Sequence, residues 1–273
     1  MKLTVIGCAG SYAGPDSPPS SYLLQERDEA GRTWNVLLDL GPGSLGTLQR
    51  VIDPGELDAV VISHLHPDHY LDVPGLEVYR TYHPEKQMPL LPVYAPQGMR
   101  ELLTTICYHD EAGIPPGASE PSLQVNTVSH GDVFNVGPLS FAMFRVDHPV
   151  ETHAIRVGRA GREEAGAYLT FSGDTDACAN LTEAARGASI FLSEASYLEG
   201  RDDHLRGVHL TGKRAGITAR EAGVGTLVLT HIPAWTDSEQ TLADARAEFP
   251  RSVLATTLAT YEVAYPGEGT DND

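Results

Sequence analysis

The 273-residue chain is poor in cysteine, poor in positive charge and without a long apolar run. Its three cysteines, Cys8, Cys107 and Cys178, stand far apart, and none belongs to a C-x-x-C pair. So sparse a set argues against a disulfide framework and a cysteine-based zinc site, and fits reduced thiols in a cytoplasmic protein. No stretch reaches the roughly 20 consecutive apolar residues of a membrane span. The opening "MKLTVIGCAG" carries one lysine and a short apolar run, which reads as a strand and not as a secretion signal. Lys plus Arg number 19 against 37 Asp plus Glu, a formal net charge of −18. Long nucleic acids are held by basic side chains that neutralise phosphates, so a large nucleic-acid partner is not expected. A small anion bound through metal ions remains compatible, because the ions bring their own positive charge.

What is present is a succession of short apolar segments bounded by Gly, Pro and Asp. Strands are expected at 2–7, 20–26, 34–41, 57–64 and 91–96 in the first half. In the second half they are expected at 123–128, 132–146, 153–159, 167–174, 189–195 and 226–232. Helical apolar spacing marks 43–52, 98–112, 182–188, 211–223 and 238–249, the last with Ser238 as its cap. Strands first and helices later, twice over, predicts two sheets with helices outside. A Gly-, Pro- and acid-rich stretch at 107–122 reads as a loop between halves of about 1–120 and 121–265 in a single domain. Residues 266–273 read as a disordered acidic tail.

The densest chemical feature is "HLHPDHYLD", directly after the apolar run "LDAVVIS". His64 and His66, two apart at an extended strand end, point to one side. Pro67 biases the chain toward a helix start that brings Asp68 and His69 to the same cavity. Imidazoles with a carboxylate suit Zn²⁺, Mn²⁺ or Fe²⁺. Four ligands from one loop exceed what one tetrahedral ion takes from it, so two ions are expected, with further ligands from elsewhere. His148, Asp174 and His231 each end an apolar run and supply candidates. That donor set is the composition of a two-ion hydrolase site. His153 rivals His148, whereas His83, His109, His130 and His204 read as surface or structural residues.

In this order, "HLHPDH", "DH" at 147–148, "SGDT" at 172–175 and "LTH" at 229–231 resemble the metallo-β-lactamase superfamily across nearly the whole chain. The resemblance implies an α/β fold, the αβ/βα four-layer sandwich of two packed mixed sheets. It implies that His64, His66 and His148 hold one ion, that Asp68, His69 and His231 hold the second, and that Asp174 bridges them. Asp39, in "LLDLGPG", matches a position beside the site where it would orient a ligand histidine.

Lactamases of this fold carry cysteine where Asp174 stands, and the aspartate is similar to the ribonuclease Z and phosphodiesterase branch. Glu194 in "LSEASY" and His209 in "GVHLTG" resemble the Glu–His pair of that branch. A histidine poised by a carboxylate can protonate the departing alkoxide of a phosphodiester. The stretches "DLGPGSLGTLQR" and "LTHIPAWT" resemble an actinobacterial group of atypical class II cyclic-nucleotide phosphodiesterases. The implied activity is a metal-dependent hydrolase converting 3′,5′-cAMP to 5′-AMP, with Asp68, Glu194 and His209 as catalytic residues. The implied cofactors are two divalent ions, Zn²⁺ first, and the implied assembly is a homodimer. A ribonuclease Z-like tRNA-processing endonuclease and a thioester or lactone hydrolase are the alternatives. Trp235, close after His231, is a candidate to stack on a base.

Overall fold

In a computed structural model, residues 1–85, 88–108, 122–161 and 169–263 are described. Short apolar runs, many of them buried on both faces, form the strands of two seven-stranded sheets. The first sheet contains β1 (Lys2–Gly7), β2 (Ser21–Arg27), β3 (Thr33–Leu38), β4 (Ala59–Val61), β5 (Leu91–Ala95) and β6 (Leu123–Thr127). The second contains β7 (Val133–Val136), β8 (Leu139–Arg145), β9 (His153–Arg159), β10 (Leu169–Phe171), β11 (Ile190–Glu194), β12 (Thr226–Thr230) and β13 (Ser252–Leu254). A last strand, β14 (Thr260–Glu262), returns to the first sheet beside β1.

Each sheet is antiparallel at one side and parallel at the other. Strands β1 to β3 pair antiparallel, and β3 to β6 parallel. In the second sheet β7 to β10 pair antiparallel, and β10 to β13 parallel. Parallel pairs need crossovers, and helices supply them. These are α1 (Ser44–Leu48), α2 (Pro67–Tyr70), α3 (Val73–Tyr82), α4 (Met99–Tyr108), α5 (Ala179–Ala185), α6 (Gly212–Ala222) and α7 (Ser238–Glu248).

Alternate residues of one strand enter different cores. Tyr22 and Leu24 of β2, and Val36 and Leu38 of β3, pack between the sheets with Phe141, Ile155 and Phe171. Leu23 and Leu37 face outward, with Leu48, Val73, Leu76 and Met99 of the helices. On the far side, Phe191, Leu227 and Leu229 meet Leu181, Ala215, Ala219 and Leu242 of α5, α6 and α7. Helix, sheet, sheet, helix: this is the four-layer αβ/βα sandwich, as the sequence pattern predicts.

Several expectations change. The run 132–146 is a hairpin, because Gly137 (φ 54°) and Pro138 turn the chain between β7 and β8. Helix α3 and the three-residue strands β13 and β14 are not legible as apolar runs. Asp237, not Ser238, caps α7, its side chain accepting from the Gln240 amide. The first sheet takes in β6 and β14, so the sheets do not divide at residue 120. Residues 109–121, with His109 and most of the expected inter-half loop, and the tail from 264 on lie outside the described residues.

Candidate metal centre

The C-terminal ends of strands from both sheets meet along one rim. Past β4 the chain delivers Ser63 and His64. His66 is extended (φ −76°, ψ 144°), as a residue before proline prefers. Pro67 opens α2 at its first position, where no amide hydrogen is needed, and the short helix carries Asp68 and His69. From the second sheet come His148 beyond β8, Asp174 beyond β10, Glu194 at the end of β11 and His231 directly after β12. Gly173, at φ 58°, makes the turn into Asp174, and a Cβ there would sit 2.9 Å from the His153 carbonyl oxygen. Asp39 (φ 56°) and His231 (φ 54°) hold left-handed backbone despite their side chains. Such strain persists where surrounding contacts dictate it.

Two donor sets form, sharing Asp174. His64, His66, His148 and Asp174 make one, and Asp68, His69, Asp174 and His231 the other, with the ligand atoms of each set within 4.8 Å of one another. In the first, His66 Nδ1 lies 3.2 Å from His64 Nε2 and 3.1 Å from His148 Nε2. In the second, His231 Nε2 is 3.0 Å from Asp68 Oδ2, 3.2 Å from His69 Nε2 and 3.5 Å from Asp174 Oδ1.

The far nitrogens fix the tautomers. His148 Nδ1 donates to the Val208 carbonyl at 2.8 Å. His69 Nδ1 donates to Asp39 Oδ2 at 2.7 Å, and Asp39 is held by the Ser63 amide at 2.7 Å and the Ser63 hydroxyl at 2.8 Å. The Ser196 hydroxyl donates to the His231 carbonyl at 2.8 Å and so accepts from His231 Nδ1 at 2.8 Å. The Nε2 atoms of His148, His69 and His231 are the ones left turned toward the cluster.

The electrostatics divide the histidines: burial works against charge on His69, but Asp174 and Asp39 hold it well above the ordinary range. Burial, reinforced by the neighbouring imidazoles, holds His64 well below the ordinary range, and burial also lowers His66 and His148. Asp174 is pulled well below the carboxylate range because His231, His69 and His64 outweigh its burial. Its Oδ1 is buried without a hydrogen-bond donor. An orphaned carboxylate oxygen among converging imidazoles is the environment a divalent cation satisfies, so this His/Asp cluster is suited to binding a metal ion.

Beside the cluster, His209 Nδ1 donates to Glu194 Oε1 at 2.8 Å. Glu194 is fully buried, held by the Thr175 amide at 2.8 Å and the Ser196 amide at 3.0 Å. Burial works against charge on His209, but Glu194 and then Asp174 push it up to about 9. The loop before His209 is clamped by Asp176. That buried carboxylate accepts from Arg206 Nε at 2.6 Å, the Gly207 amide at 2.9 Å and Arg214 Nη1 at 3.2 Å. Arg214 also donates to the carbonyls of Asp203 and Leu205, at 3.2 and 3.3 Å.

All seven expected ligands thus converge, with Asp39 behind His69 and Glu194 behind His209. His153 is buried at the start of β9 and belongs to neither donor set. Sequence reading missed Ser63, Ser196 and the Asp176–Arg214 clamp. Small hydroxyls beside ligands carry no pattern, although the second aspartate of "SGDTD" offered a hint.

An αβ/βα sandwich with a His/Asp cluster at its strand ends defines a metallo-hydrolase. The model of the beta-lactamase superfamily domain matches residues 34–232, and the chain belongs to that superfamily. An uncharacterized protein of Mycobacterium leprae (strain TN) is 40% identical over 271 residues, 97% of this chain and 90% of that protein. The probable metallo-hydrolase YhfI of Bacillus subtilis (strain 168) is 27% identical over 252 residues, 91% of this chain and 94% of its own. Ribonuclease BN of Salmonella paratyphi B is 28% identical over 320 residues, 96% of this chain and all of that one. The crystal structure of YhfI superposes with a TM-score of 0.80 at 24% identity, covering 96% of this chain and 99% of that one. Human tRNase Z, short form, gives 0.72 at 20% identity, over 97% and 100%. At those identities the structural likeness is one of fold. The chain is a metal-dependent hydrolase.

Proposed function

We propose that the chain is a phosphodiesterase for a small phosphodiester, a 3′,5′-cyclic nucleotide such as cAMP, yielding the 5′-nucleotide. The carrying observation is the Glu194–His209 pair, joined at 2.8 Å, beside a cluster in which an aspartate belongs to both donor sets. His64, His66 and His148 would hold one divalent ion, Asp68, His69 and His231 a second, with Asp174 between them and Zn²⁺, Mn²⁺ or Fe²⁺ accepted by such donors. Bound there, the ions would neutralise phosphoryl charge and supply hydroxide at neutral pH.

The chain's own residues do the rest. His209 commits Nδ1 to Glu194, which leaves Nε2 to carry the proton. As the P–O3′ bond breaks, that proton passes to O3′, so the alkoxide leaves as a neutral hydroxyl. Asp68 positions the attacking oxygen. The formal charge of −18 favours a small anion over a polynucleotide, which needs a basic surface.

The test is turnover of cAMP, cGMP, bis-nitrophenyl phosphate, pre-tRNA and a thioester by protein loaded with defined metals. Expected is conversion of cAMP to 5′-AMP, abolished by EDTA. Faster cleavage of pre-tRNA would shift the reading to a ribonuclease Z-like endonuclease, and hydrolysis of the thioester alone would discard it.

A further inference from the structure

A cavity of about 310 Å³ opens on His209 and is lined by Ser11, Ser196, Tyr197, Arg201, Asp202, Pro233 and Trp235. Its size and its closeness to the proton donor suit the part of a substrate that extends from the reacting phosphorus. Trp235 is 62% exposed and Tyr12 40%. Their rings stack at 4.8 Å with 25° between planes, so Tyr12 backs the indole from outside the cavity lining. Tyr197 forms another part of the wall and meets the His209 ring edge-on at 5.0 Å.

These aromatics are indexed to the His/Asp cluster. Trp235 follows His231 by four residues, and Thr236 ties that turn down through its amide to the Pro233 carbonyl at 2.8 Å. The Tyr12 loop is held from the other side. Ala9 bridges Ile232, the Ser11 amide lies 3.4 Å from His231 Nε2, and a Cβ on Gly10 would fall 2.3 Å from the His231 carbonyl oxygen. Arg201 stands on the wall, its guanidinium steadied by Asp202 at 2.7 Å and Thr236 at 3.3 Å. The indole is braced at a fixed offset from the reaction centre.

We infer that this cavity is a nucleobase subsite in which the indole of Trp235, backed by Tyr12, stacks on the base of the substrate. The inference rests on the phosphodiester reading and adds to it what selects a nucleotide over other diesters. Stacking needs a π-face and no particular edge, so Trp235 confers affinity for a base without naming which one.

The experiment uses the full chain loaded with Zn²⁺ and carrying Trp34→Phe, which leaves Trp235 as its one tryptophan. AMP should quench its emission, and ribose 5-phosphate should not. Trp235→Ala should weaken AMP binding and raise KM for cAMP by about fivefold or more, the effect of losing one stacked base. It should leave kcat and the affinity for ribose 5-phosphate unchanged, and Trp235→Phe should restore most of the loss. AMP that binds without quenching, or equal weakening of AMP and ribose 5-phosphate in Trp235→Ala, overturns the subsite. If cyclic nucleotides are hydrolysed but AMP does not quench, the subsite falls and the phosphodiesterase stands. If no phosphodiester is hydrolysed and AMP does not quench, both fall.

Discussion

His209 and Asp39 illustrate two ways in which one residue governs this centre. His209 is a proton carrier only if Glu194 holds its Nδ1, and that bond is short and buried on the Glu194 side. In His209→Ala, turnover of a cyclic nucleotide, with its poor leaving group, should fall about 10²- to 10⁴-fold. Turnover of bis-nitrophenyl phosphate, whose leaving group needs no proton, should fall far less, and equal losses would refute the role. Asp39 acts through His69, whose Nδ1 it receives at 2.7 Å. Asp39→Asn should weaken metal affinity about 10- to 100-fold, as removal of such a partner does elsewhere. Competition against a chelator of known affinity measures this, and an unchanged constant would show that the Asp39 carboxylate is not what holds the ring.

Among the elements, the segment from 203 to 209 depends on α6 for its shape. Arg214, in the first turn of α6, donates to Asp176 and to the carbonyls of Asp203 and Leu205. The same loop presents the Val208 carbonyl to His148. Arg214→Ala should lower kcat about 10- to 100-fold, because a displacement near 1 Å costs that much in a positioned catalyst. Bound metal, counted by elemental analysis, should fall by less than one equivalent. Loss of a whole ion would show instead that the clamp serves His148.

Strands and helices differ in how well they can be read from sequence. Tyr22, Leu23 and Leu24 are legible as a short apolar run, and β2 follows from it, although which of them faces inward is set by the packing of both faces. The three-residue β13 and β14 have no period to detect and form because a neighbouring strand offers its edge. Helix α3 carries Gly75 and Pro74 in its first turn, which mask a helical pattern that packing on Leu48 and Met99 rescues.

At the scale of the whole molecule, a buried histidine outside the His/Asp cluster should make stability depend on pH. His153 is fully buried, neither ring nitrogen has a hydrogen-bond partner, and Glu151 comes only to 3.5 Å. Burial, with Arg145 and His130 adding to it against the pull of Asp132, lowers its pKa from 6.5 to about 4. Between those values the unfolded chain binds a proton that the folded chain refuses, so stability rises with pH there. The contribution is complete above about pH 6.5 and is lost as pH falls toward 4. Urea midpoints at pH 7 and 4.5 should therefore differ less in His153→Leu than in the parent. An equal fall in both would mean that the buried ring is not the group responsible.

What the sequence determined by itself is local chemistry. The spacing of His64, His66, Asp68 and His69 after an apolar run specifies converging donors within one loop, since a strand end and a proline-started helix leave few directions for them. His148, Asp174 and His231 are legible as polar ends of apolar runs. Only the tertiary structure decided that they share one rim. That meeting depends on two sheets packing face to face with their parallel strands ending on the same side, and on the order in which strands pair over long separations. Packing also settled what period and spacing do not encode: Ser63 and Ser196 behind the ligands, Asp176 and Arg214 around the His209 loop, and an indole braced at the mouth of the site.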